Sequence, residues 1–129
     1  MLFPSAWVEV DLDVIAHNVR QVAERLPEGT RLMAVVKSDA YGHGALEVAQ
    51  CALANGATWL GVSTLEEALE LRKFRCPLLI FNPLSRQEAE VAVRHGFSVT
   101  VIGREDARAV AEIGRRTGVR GVVHLKVNT

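Results

Sequence analysis

Lys37 closes the apolar run "RLMAVVK" and is followed by Ser38, Asp39 and Ala40, then by Tyr41, Gly42, His43 and Gly44. Lysine is among the residues least often buried. An amine that ends an apolar strand is therefore either a solvated terminus or a reagent. Burial disfavours the ammonium form, and a neutral amine can attack a carbonyl carbon. A phenol beside a helix start, next to glycines that let backbone approach a ligand, suits a phosphate. Side chains alternate along a strand, so Met33, Val35 and Lys37 are expected on one face. The same count on "RGVVHLKVNT" puts Val122, His124 and Lys126 together. For an arbitrary lysine, Lys126 included, the solvated reading is favoured. The residues after Lys37 tip its balance toward chemistry.

The elements that must position these lysines alternate strictly. "AWVEV" reads as a short strand. "DLDVIAHNVRQVAERL" carries Leu12, Ile15, Val19, Val22 and Leu26 at helical spacing, with Asp11 or Asp13 able to cap it. "RLMAVVK", "TWLGVS", "CPLLIFN", "FSVTVIG" and "RGVVHLKVNT" read as strands. Between them lie the helices "GHGALEVAQCALANG", "TLEEALELRKF", "SRQEAEVAVRHG" and "REDARAVAEIGRRTG". Thr64 with Glu67 and Ser85 with Glu88 stand at capping-box spacing. Alternation at roughly 20–25 residues per unit implies parallel strands joined by right-handed crossovers. The first βα turn has no G-x-G-x-x-G, and no phosphate-loop motif occurs. That favours an α/β fold of the (β/α)8 TIM-barrel type over a nucleotide-binding open sheet. A barrel needs eight strands, whereas residues 11–129 supply five, so the N-terminal portion of a barrel is expected. The strand at residues 1–10 stands apart from it.

The 129 residues are 49% hydrophobic, with fifteen basic and fifteen acidic side chains. This balance gives no footprint for nucleic acid or an anionic membrane surface. The opening "MLFPSAWVEV" lacks a basic n-region and a long apolar core, so it does not read as a signal peptide. No apolar run approaches a membrane span. Cys51 and Cys76 are far apart, with no histidine at ligand spacing. Buried free thiols, no metal site and a cytoplasmic location are expected.

"VVKSDAYGHG" resembles the pyridoxal-phosphate attachment motif of bacterial alanine racemases. "AWVEVDLDVIAHNV", "WLGVSTLEEALELR" and "VHLKVNT" resemble further segments of that family, in order, so the resemblance covers essentially the whole chain. It implies a pyridoxal-phosphate-dependent isomerase of fold type III with an N-terminal barrel and a C-terminal β-domain, to which residues 1–10 would connect. It implies that Lys37 binds the cofactor covalently and exchanges the α-proton on the D-alanine side. Tyr41 would contact the cofactor phosphate, and Lys126 matches a lysine that is often carbamylated. The implied reaction interconverts L-alanine and D-alanine for peptidoglycan, in a homodimer. Ser38 stands where the family more usually has alanine or asparagine, and Asn128 where aspartate is common. The family's later arginines, most of its phosphate cup and its tyrosine base lie beyond the segments matched here. The 129 residues alone are therefore expected to be inactive. A broader-specificity amino-acid racemase and a non-catalytic half-barrel are the alternatives.

Other chemistry-bearing residues read more plainly. His43 is balanced between a local cap and the cofactor's surroundings. His17 is expected in solvent, His95 at a helix end, and His124 as a satisfied interior residue. Glu66, Glu67 and Glu70 read as a solvated, capped helix face. Trp7 and Trp59 read as core or interface.

Overall fold

The computed structural model describes residues 6–128. Helix α1 (Leu12–Ala23) leads into β1 (Leu32–Val35), a short segment α2 (Lys37–Gly42) and helix α3 (Ala45–Ala54). The chain continues through β2 (Ala57–Val62), α4 (Leu65–Leu71), β3 (Leu78–Ile80), α5 (Arg86–Arg94), β4 (Ser98–Val101), α6 (Arg104–Thr117) and β5 (Val122–Leu125). A single 3-10 turn, Arg72–Phe74, follows α4.

Local chemistry sets most of the boundaries. Asp11 caps α1, its Oδ1 accepting from the N–H groups of Asp13 and Val14 at 2.9 and 3.2 Å. Both capping boxes form, Thr64 with Glu67 on α4 and Ser85 with Glu88 on α5. α6 begins with acids, ends with Arg115 and Arg116, and stops at Gly118, whose φ of 72° suits glycine.

All strand pairs are parallel, in the order β1-β2-β3-β4-β5. The order never reverses, so the sheet has no switch point of the kind doubly wound folds possess. Five strands in sequence, alternating with helices, form the N-terminal part of a barrel. One face of the sheet packs on the helices. Leu60, Val62, Leu78, Ile80, Val99 and Val101 are buried there against Leu65, Leu71, Ala92, Val93 and Ile113. Each fully buried Leu or Ile contributes about 1.5–3 kcal/mol. The other face carries Met33, Trp59, Gly61, Leu79 and Phe81. Gly61 makes room there: a Cβ on it would lie 2.6 Å from Phe81 Cζ and 2.9 Å from Met33 Sδ.

Several expectations change. Residues 6–10 form no strand, and Trp7 is 73% exposed. Their alternation is real, but a strand exists only by pairing, and none of the described strands pairs with them. The rest of that expectation lies outside the described residues. β1 ends at Val35, so Lys37 is not the last residue of a strand row. The Val36 N–H still reaches Gly61 O at 2.9 Å, which prolongs the ladder by one bond before the chain turns. His124 is exposed rather than interior, because β5 is open to solvent along its whole length. Cys51 and Cys76 are free thiols, half-buried rather than buried. Burial pushes the Cys76 thiol up from its ordinary value.

Candidate active site

Lys37 lies just past the carboxyl end of β1, the end at which βα loops gather in barrels. It is half-buried, and its Nζ stands 5.8 Å from the centre of the Tyr41 ring. Tyr41 is 60% exposed. An amine and a phenol thus share one small surface at the mouth of the sheet.

The backbone that brings them together is unusual. Ser38, Asp39, Ala40 and Tyr41 have φ between 51 and 57° and ψ between 36 and 52°, a turn of left-handed helix built without glycine. Each such residue costs roughly 1–2 kcal/mol relative to the right-handed form. Only surrounding structure can hold that conformation, and such strain gathers at functional sites. Here the surroundings are specific. Ala40 N–H reaches Val36 O at 3.0 Å, and Gly44 N–H reaches Asp39 O at 3.0 Å. The Asp39 carboxylate accepts from Ala45 N–H at 2.7 Å, so it caps α3 from outside that helix. Ala40 is buried beneath the turn. Gly42 and Gly44, at φ 83 and 90°, carry the chain out of it.

His43 takes the local role. Its Nδ1 is 2.9 Å from Ala40 O; a carbonyl can only accept, so this nitrogen carries the proton. Lys126 is exposed just past β5, where its N–H donates to Val101 O at 2.9 Å. A groove of about 400 Å³ beside it is lined by Leu79, Phe81, Thr100, His124, Leu125 and Lys126. Lys37 does not line this groove. His17 is exposed, and His95 caps α5 while stacking on Phe97 at 5.5 Å. Trp59 is half-buried between Arg31, whose guanidinium carbon is 5.1 Å from the ring centre, and His124.

One residue reaches further than its sequence position suggests. The sequence reads Glu67 as a capping-box partner on a solvated helix face; it is half-buried, and its Oε2 does cap α4, accepting from Ser63 and Thr64 N–H at 2.7 and 3.2 Å. Its Oε1 accepts from Ser38 N–H at 2.7 Å. The capping-box spacing signals the first oxygen's partners. Nothing local signals a partner twenty-nine residues away.

No helix among the described residues is long and apolar enough to cross a membrane. Residues 10–129 match the family described as alanine racemase, N-terminal domain. Alanine racemase 1 of Oceanobacillus iheyensis is 40% identical over 129 residues, which takes in 98% of this chain and 34% of that protein. The alanine racemase of Synechocystis is 42% identical over 132 residues, covering 100% of this chain and 36% of that one. Among solved structures, alanine racemase from Streptomyces coelicolor superposes with a TM-score of 0.84 at 38% identity, over 92% of this chain and 32% of that one. Clostridium difficile alanine racemase in complex with cycloserine also gives 0.84, at 29% identity, over 98% of this chain and 34% of that one. The chain thus spans about a third of the length of the curated relatives it matches.

Proposed function

Because the chain belongs to the alanine racemase family through that family's N-terminal domain, we propose that it supplies the lysine-bearing part of a pyridoxal-phosphate-dependent racemase acting on alanine. The observation that carries the reading is the Lys37–Tyr41 pair, with Nζ 5.8 Å from the centre of the phenol ring, on one turn at the mouth of the sheet. The donor set fits the cofactor. An accessible primary amine meets its aldehyde, and a phenolic O–H can donate to its phosphate. When bound, pyridoxal phosphate supplies an electron sink for the carbanion left by loss of an α-proton.

On this reading Lys37 Nζ is the covalent anchor and the group that takes and returns the α-proton on one face of the substrate. Tyr41 Oη would hold the cofactor's phosphate by donating a hydrogen bond to it. The left-handed turn keeps both groups on one short piece of backbone, so the backbone that carries them is already placed when ligand arrives. Racemisation needs an acid–base group on each face, and Lys37 accounts for one. Loss of one such group costs about 10²–10⁴-fold, so the 129-residue chain alone should racemise alanine negligibly. Its place in the homodimer, the provision of D-alanine for peptidoglycan and a cytoplasmic location follow from the same reading. Lys126 is assigned the carbamylated-lysine position.

The test is covalent. The chain is incubated with pyridoxal phosphate, reduced with borohydride and digested, and the pyridoxyl-lysine is located by mass spectrometry. Label on Lys37 is expected. Label on Lys73 or Lys126 with none on Lys37 would remove the assignment.

A further inference from the structure

Three consecutive βα units begin a helix with a carboxylate at its third position that turns back on the loop before it. Glu67 accepts from Ser63 and Thr64, Glu88 from Ser85, and Asp106 from Ile102 and Gly103. In α5 and α6 the carboxylate serves its own loop. In α4 the second oxygen leaves the unit and takes the N–H of Ser38 at 2.7 Å. Ser38 directly follows the lysine. On the other side of the lysine, Val36 N–H is held by Gly61 O at 2.9 Å. The backbone on both sides of Lys37 is therefore pinned to one βα unit, to Gly61 on β2 and to Glu67 on α4.

Ser38 is also the first residue of the left-handed turn, with φ at 51°. Ser38 is exposed, so its N–H would turn to water if the turn moved away from Glu67. A charge-assisted bond at this point favours the hand that the side chains of Ser38–Tyr41 disfavour.

We propose that Glu67 is a positioning residue for Lys37: through the Ser38 N–H, its carboxylate holds the left-handed turn that aims the amine and Tyr41 at the cofactor. This rests on the reading of Lys37 as the anchor, and the experiment separates the two.

Glutamine isolates the contact. It has one acceptor oxygen and one donor amide and completes a capping box as glutamate does. In Glu67→Gln the oxygen goes to Ser63 and Thr64, where it meets two donors. The amide then faces the Ser38 N–H, donor against donor. The helix cap survives and the bond to the lysine turn is lost. Glu88→Ala is the matched control, because it removes a capping carboxylate from a neighbouring helix without touching the turn. Two quantities are measured on wild type and both variants. The first is Ser38 amide hydrogen exchange without cofactor. The second is the rate of borohydride-fixed pyridoxal phosphate appearing on Lys37.

Ser38 exchange is expected to rise about tenfold or more in Glu67→Gln, as for a lost hydrogen bond to a charged group, with Thr64 little changed. Attachment at Lys37 should slow in the same variant. Glu88→Ala should match wild type in both. Unchanged Ser38 exchange in Glu67→Gln overturns the proposal, as does attachment slowed equally by Glu88→Ala. If wild type takes no label on Lys37, the anchor reading fails, and the exchange measurement alone then judges whether Glu67 holds the turn.

Discussion

Trp59 on β2 meets His124 on β5 edge to face, with ring centres 5.6 Å apart and planes at 66°. Two strands separate β2 from β5, and no ladder bond joins them. Side chains on such distant strands touch only if the sheet curls enough to bring its inner face together. The pair is thus a local measure of the curvature that a barrel demands. It predicts that Trp59→Ala costs about 1–2 kcal/mol, less than for a fully buried Trp because the ring is half-open to solvent. Amide exchange in β5 should quicken more than in β3. Denaturant unfolding and exchange of the variant check both. Equal quickening in β3 and β5 would mean that the pair does not support the curl.

A second consequence concerns the turn. Asp39 does two things: it adopts φ 54°, and it caps α3 through Ala45 N–H. Asparagine is less disfavoured in the left-handed region and keeps an acceptor oxygen, whereas alanine is more disfavoured there and has no acceptor. Asp39→Ala should cost about 1–2 kcal/mol and Asp39→Asn well under half of that. Chemical denaturation of both variants tests the pair. Equal losses would show that the carboxylate charge matters rather than the cap and the conformation.

That turn also marks where the sequence stops being legible. The caps of α1, α4 and α5 rest on residues two or three positions apart, so Asp11, Thr64–Glu67 and Ser85–Glu88 could be read directly. The parallel order followed from short, regular connections, and the mouth location of Lys37 followed from that order. The hand of Ser38–Tyr41 could not be read. None of these residues is glycine, and a bond from distant Glu67 meets the first of them. Residues 6–10 misled for the converse reason. Their alternation is local, but strand formation depends on a partner. His124 shares a strand face with Val122 and Lys126 and reads as interior, yet β5 is an edge among the described strands.

That edge has its own behaviour. Val123 and Leu125 align with Val99 and Val101 on the face that helices cover elsewhere, and they are 44% and 68% exposed. An open edge with apolar side chains invites pairing with another chain. The 129-residue chain should therefore self-associate at raised concentration, and Leu125→Lys should weaken that association. Sedimentation of both across a concentration series is the measurement. A wild-type monomer at every concentration would remove the expectation.

A pH dependence is expected where α5 meets α6. Glu90 on α5 takes hydrogen bonds from Arg116 on α6 and from Arg94 one turn on, the latter at 2.9 Å. The Arg116 bond first, and the Arg94 bond second, hold its carboxyl down from the ordinary 4.5 to about 2. A carboxyl with a lower value in the folded state stabilises the fold most where it is ionised in both states. That contribution is complete above the ordinary value and drains away as pH falls from about 4.5 to about 2. Glu90→Gln lacks it at every pH. The stability difference between wild type and Glu90→Gln, measured by denaturant unfolding, should favour wild type near pH 6 and shrink toward pH 2. Added salt should narrow the gap near pH 6, since the groups are solvent-facing and screened. A gap that stays constant down to pH 2, or widens there, would show that the arginines do not hold this carboxylate in solution.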